Sequence, residues 1–166
     1  MLRGSSFMLQ KNPSYLSELV EYIYRQDIHI WQIDVENYSE ENIDLIMQIY
    51  GDIKDCLIKN NEKDLVLVTK ILLGVFSIVP AYDTYFCETF REFSECKFRV
   101  FNKDSLRLIR DFYLSNVEII DNLKNQSTVY DFNNNPTNLK YKQAKIIDMY
   151  GFEKSFTAPK KSNNKK

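Results

Sequence analysis

The stretch Asp64 to Phe93, DLVLVTKILLGVFSIVPAYDTYFCETFREF, decides the fold. Leu65 to Val79 contains only three polar residues, Thr69, Lys70 and Ser77. The apolar run does not alternate, so it does not read as a half-buried strand. Its 15 residues exceed a usual strand and fall short of the roughly 20 that span a bilayer. Lys70, near its middle, would be costly in lipid. The pattern predicts a central helix over residues 65–79, apolar all round and therefore buried. Val66 and Val68 also suit a buried strand at 65–69. Glycine costs about 1 kcal/mol against alanine inside a helix, so Gly74 predicts close approach of a neighbouring helix.

Pro80 cannot donate a backbone hydrogen bond, and it pushes Val79 away from helical geometry. The expectation is a kink and a restart, with Pro80 at the first position of the new helix. Tyr82, Phe86, Phe90 and Phe93 then share one face, expected on the core. Asp83 falls in the first turn, where a negative charge suits the helix dipole.

The chain has 166 residues, enough for one domain with one core. With 44% hydrophobic and 27% charged residues it reads as a soluble globular protein. Four glycines and four prolines are too few for a turn-rich sandwich or barrel. Abundant Asn and Lys fit an AT-rich bacterial or phage genome. Net charge is −1, and five lysines after Glu153 with no acid leave the preceding body at −6. An acidic body argues against a nucleic-acid-binding fold. Cys56, Cys87 and Cys96 form no CxxC pair, which predicts free thiols in a reducing cytosol. The N-terminus shows no apolar core of signal-peptide length. The location expected from these features is the cytoplasm.

In chain order, residues 1–12 read as an arm whose Phe7, Met8 and Leu9 could dock on the body. Asn12 and Pro13 start a helix to about Gln26, with Leu16, Leu19, Val20 and Ile23 as its buried face. Asp27 to Tyr38 fits a short extended segment or a helical turn. Ser39 caps a helix striped by Ile43, Ile46, Met47, Tyr50, Ile53 and Leu57. Asp64 can cap the central helix. Cys96 to Phe101 reads as an extended connector. Asn102 starts a helix striped by Leu106, Ile109, Tyr113, Val117, Ile120 and Leu123. Residues 125–138 form the longest loop, where function or disorder tends to sit. A last helix, about Leu139 to Tyr150, ends at Gly151 as a left-handed cap. Residues 153–166 read as a basic, disordered tail. The fold expected is an all-α single-domain bundle of five or six helices around the central one, with residues 13–152 as its body.

No phosphate-binding glycine loop, nucleotide fingerprint or HExxH is present. A single histidine, His29, excludes multi-histidine metal sites, and the cysteines lack zinc spacing. No metal or cofactor is expected. Lys70 is the most suggestive residue. It reads as a stem lying over apolar surface or an ion pair with Asp83; its functional alternative is a shifted amine or an anchor for an anion. The two lie thirteen residues apart, so only a chain reversal near Pro80 could bring them together. Tyr82, Asp83 and Tyr85 could form a polar pocket with it, or simply a cap with aromatic packing. His29, Trp31 and Asp34 could line an interaction surface, or Trp31 could be core. The lysine tail reads as a solvated end.

The block TKILLGVFSIVPAYDTYF, Thr69 to Phe86, resembles one in a group of small bacterial proteins. The resemblance implies that Lys70, Gly74, Pro80, Tyr82 and Asp83 act as one unit, and it carries no activity. The functional expectation is a non-catalytic interaction or regulatory protein whose partner is another protein or a second copy. The alternatives are an enzyme or small-ligand binder with a pocket near Lys70, Tyr82 and Asp83, and a nucleic-acid-associated factor using the tail.

Overall fold

Asn12 accepts the backbone N–H of Ser14 at 3.0 Å, and Pro13 follows it into a 3-10 turn, Pro13–Leu16, that feeds helix α1, Ser17–Tyr24. The computed structural model describes residues 11–60, 62–91, 93 and 98–158. Seven α-helices lie among these residues, and the architecture is an all-α single domain. The remaining helices are α2, Glu40–Leu57; α3, Leu65–Ile71; α4, Thr84–Phe90; α5, Lys103–Leu114; α6, Val117–Gln126; and α7, Gln143–Thr157. No strand occurs among the described residues; Tyr130 and Pro136 form one isolated antiparallel bridge. Residues 1–10 of the expected arm, Cys96 and the last residues of the tail lie outside the described residues.

Helix α1 seats on α2 through a face displaced from the expected one. Leu19 is buried, the Tyr22 hydroxyl donates to Asp52 at 3.0 Å, and the Tyr15 hydroxyl donates to the Leu57 carbonyl. Leu16 and Val20 are exposed. Two 3-10 turns, Ile28–Gln32 and Val35–Asn37, occupy the next segment. Ser39 caps α2 as expected, accepting from Asn42 N–H at 3.1 Å. The helix buries Ile43, Ile46, Ile49, Ile53 and Leu57.

The central stretch departs from the expected single helix. After Ile71 the backbone widens into a π-turn, Leu72–Phe76, and stops at Ser77, which adopts the left-handed conformation with φ 54°. Residues 78–83 then run without helix, and Pro80 lies buried inside this connector instead of opening a helix. The restart comes later, at Asp83, whose carboxylate accepts the N–H groups of Tyr85 and Phe86 at 3.1 Å each. Long-range side chains take over the backbone groups that a helix would have satisfied. Tyr38 donates its hydroxyl to Ile78 O, Thr69 Oγ1 accepts from Tyr82 N–H at 3.0 Å, and Asp148 accepts from Ala81 N–H at 3.1 Å. Buried backbone groups require such partners. Leu67, Val68, Leu72 and Phe76 are buried, while Gly74 and Val75 face outward, so the segment is not apolar-packed all round. Asp64 makes no side-chain cap; its carboxylate pairs with Lys54 at 2.8 Å and accepts from the Tyr50 hydroxyl at 3.2 Å.

The expected close approach at a glycine occurs elsewhere. Nothing lies within 4 Å of where a Gly74 Cβ would be, whereas a Gly151 Cβ would meet Phe86 Cδ2 at 2.9 Å. Gly151 is therefore not a terminal cap. It sits inside α7, lets α4 pack against that helix, and its carbonyl accepts the Thr89 hydroxyl at 2.7 Å. Helix α7 consequently continues to Thr157, into the segment expected to be disordered tail. One expected helix, 102–123, is two: the chain turns at Ser115 and Asn116 between α5 and α6. That break takes the helix count past the five or six expected.

Candidate functional site

Of the residues singled out from sequence, Lys70 and Asp83 share a cavity. Lys70 comes from α3 and Asp83 from the cap of α4, and the reversal through residues 77–82 brings Lys70 Nζ to 3.6 Å from Asp83 Oδ2. Gly74, Ser77, Lys145 and Asp148 complete the polar lining of a space of ≈ 480 Å³. Lys145 pairs with Asp148 at 3.1 Å. Asp148 is largely buried, and burial pushes its carboxyl above the usual carboxylate range, with Lys145 opposing and Asp83 adding to the rise. Two ion pairs thus stand on the walls of one cavity. The Ser77 hydroxyl is used internally, donating to Leu73 O at 3.0 Å.

Tyr82 does not join this cavity. It is buried beneath it, where its hydroxyl donates to Ser105 Oγ at 2.8 Å and its ring stacks on Phe86 at 5.5 Å. Tyr85 points to another surface, with its ring 4.9 Å from Phe152 and 6.2 Å from Phe156.

The group His29, Trp31 and Asp34 separates into different roles. His29 is exposed and its Nδ1 lies 3.1 Å from Gln32 Oε1. Trp31 Nε1–H donates to Val75 O at 3.0 Å, so the indole caps the end of the π-turn while its ring lies 4.8 Å from Phe76. Asp34 is buried and structural: it accepts from Gln143 N–H at 2.9 Å and Ala144 N–H at 3.1 Å, and pairs with Lys124 at 3.3 Å. It is the N-terminal cap of α7, supplied from a distant turn. Beside it the Tyr113 hydroxyl, desolvated and donating to Asp121, is pushed up to about 12.

A second concavity, absent from the sequence reading, is a groove of ≈ 560 Å³ between α4, α5, α6 and α7. Phe90, Phe93, Phe112 and Tyr150 line it, and their rings pack on one another at 4.8 to 6.3 Å. Ile119 and Leu123 of α6 stand beside them, 64% and 47% exposed, and Phe93 is 50% exposed. Asp111 is the one charged side chain in the lining among the described residues. The signal in the sequence is the doubling of apolar residues at Ile119 and Ile120, which gives a short helix more apolar width than one core face needs. Lys145 and Asp148 carried no comparable signal, because only the tertiary fold sets them opposite Lys70.

Among the described residues no cluster of His, Cys, Asp or Glu could hold a metal ion. None of the described helices is long and apolar enough to cross a membrane. Cys56 is a free thiol whose pKa burial raises, and the Cys87 sulfur lies 3.2 Å from the Phe98 carbonyl oxygen. Comparison with family models, curated proteins and solved structures finds no match to the chain.

Proposed function

We propose that the protein is a non-catalytic interaction protein whose α4–α7 groove receives the apolar face of an amphipathic helix from a partner. The observation that carries this reading is a groove floored by packed aromatic rings yet open along α6, where Ile119 and Leu123 remain exposed. Small-molecule sites enclose most of their ligand; an open apolar trough suits a helix that inserts side chains at i, i+3 or i+4, and i+7. One charged lining residue, Asp111, supplies no acid–base pair, and it favours a basic residue beside the partner's apolar stripe.

The test uses two helical peptides carrying the same leucine stripe, one flanked by lysine and one by glutamate. Fluorescence anisotropy should show saturable binding of the lysine peptide, weaker binding of the glutamate peptide, and loss in Ile119→Asp and Leu123→Asp. Both positions are exposed, so these variants should keep the wild-type circular dichroism. Absence of binding by either peptide overturns the reading. So does a wild-type dimer in light scattering that Ile119→Asp dissolves, which would make the occupant a second copy.

A further inference from the structure

Gly74 stands in the helical stretch with no packing reason for being glycine. Nothing lies within 4 Å of where its Cβ would be, and glycine costs stability in a helix. What the missing side chain does is leave the cavity at the π-turn open, since Gly74 is part of its lining. Two further features of the same wall depart from the regular helix: the π-turn itself and the left-handed Ser77. Such departures gather at functional sites.

The walls carry two cations and two anions as paired groups, Lys70 with Asp83 and Lys145 with Asp148. A simple anion entering the space would face both carboxylates, and a simple cation both ammonium groups. A ligand bearing both charges can set its anionic end against the lysines and its cationic end against the aspartates. Leu73 and Tyr141 offer apolar surface next to these groups.

We infer that this cavity is a binding site for an α-amino carboxylate zwitterion, its carboxylate held by Lys70 and Lys145 and its ammonium by Asp83 and Asp148. The site is separate from the α4–α7 groove and does not depend on the function proposed for it.

Trp31, the only tryptophan, reports on the site because its indole N–H is bonded to Val75 O, one residue from Gly74. The experiment titrates L-leucine into the full chain and follows tryptophan fluorescence. N-acetyl-L-leucine, with only the negative charge, L-leucinamide, with only the positive, and inorganic phosphate serve as comparisons. L-leucine should give a saturable change, and each comparison should bind about tenfold or more weakly, the scale of one lost charge contact. Lys145→Met should lose at least as much. Gly74→Leu should abolish binding with an unchanged or higher Tm, because its side chain enters open space. Binding of phosphate or N-acetyl-L-leucine as tight as L-leucine overturns the inference in favour of an anion site. No saturable change with L-leucine, by fluorescence or by calorimetry, overturns it outright, as does Gly74→Leu that binds like wild type.

Discussion

The carboxylate of Asp34 accepts the backbone N–H groups of Gln143 and Ala144, so the first turn of α7 is capped by a residue more than a hundred positions earlier. The residue directly before the helix, Lys142, provides no side-chain cap. Asp34 also holds Lys124 at 3.3 Å. Hydrogen bonds to a charged group contribute about 1.5–3 kcal/mol each, so Asp34→Ala should cost roughly 3 kcal/mol or more. Asp34→Asn, which keeps an acceptor, should cost less. Urea unfolding measures both; a loss below about 1 kcal/mol for Asp34→Ala would leave α7 starting without need of this cap.

Lys70 and Asp83 form a partly exposed pair, with side chains 33% and 26% accessible. A double-mutant cycle with Lys70→Met and Asp83→Asn should give a coupling of about 0.5–1 kcal/mol, the range of pairs that water partly screens. Asn remains a good cap, so Asp83→Asn should keep α4, whereas Asp83→Ala should lose about a further 1 kcal/mol. Zero coupling would mean that the two charges are neighbours without energetic consequence.

Two alanine substitutions at glycines should act with opposite sign. Gly74→Ala meets open space and should stabilise by about 0.5–1 kcal/mol. Gly151→Ala would place Cβ 2.9 Å from Phe86 Cδ2 and 3.3 Å from Phe86 Cα, and the backbone contact cannot rotate away. Overpacking of about 1–3 kcal/mol should outweigh the gain in helix propensity. Thermal melts of the two variants that shift in the same direction would contradict this account of the α4–α7 contact.

Asp148 should leave a signature in the pH dependence of stability. Its carboxyl lies above the usual carboxylate range when folded, chiefly because burial disfavours the charge. The folded state therefore holds this proton more tightly than the unfolded state. Its contribution is present at low pH and is lost as pH rises from the ordinary carboxylate value through the folded value. Subtracting the Asp148→Asn stability from that of wild type should give a difference that falls with rising pH across this window and then levels. A difference that climbs instead would place the folded carboxyl below its ordinary range.

The all-α class, the caps at Asn12, Ser39 and Asn102, and the meeting of Lys70 with Asp83 were legible because they rest on local periodicity and on one reversal. Where the central helix ends was not. Pro80 is the strongest local breaker, yet the helix ends at Phe76, before the proline, because tertiary partners at Tyr38, Thr69 and Asp148 make a helix through residues 78–82 unnecessary. The glycine roles were exchanged for the same reason: Gly74 and Gly151 look alike in sequence, and only the packing of α4 against α7 distinguishes them. Asp34 reads as a surface candidate and Trp31 as either surface or core, because polar and aromatic residues in an irregular segment have no periodicity to assign them inward. The groove is not legible in the sequence because its walls come from four helices, each of which alone shows only an ordinary apolar face.

The way the π-turn is finished bears on how the chain matures during synthesis. Its outgoing carbonyls are met by Trp31 at Val75 and by Lys142 at Phe76, and Tyr38 takes Ile78 just beyond. Lys142 lies 66 residues downstream of Phe76, and its half-buried ammonium, whose pKa burial lowers, donates to both Ile33 O and Phe76 O at 3.0 Å. The most apolar segment of the protein therefore leaves the ribosome before a group that completes it has been made. Until α7 docks, the Phe76 carbonyl is left to water and the faces of α4 and α6 that α7 covers stay open. The interval in which a nascent chain is open to aggregation or to chaperone capture is thus set by the last helix, and truncation before Lys142 should prolong it indefinitely.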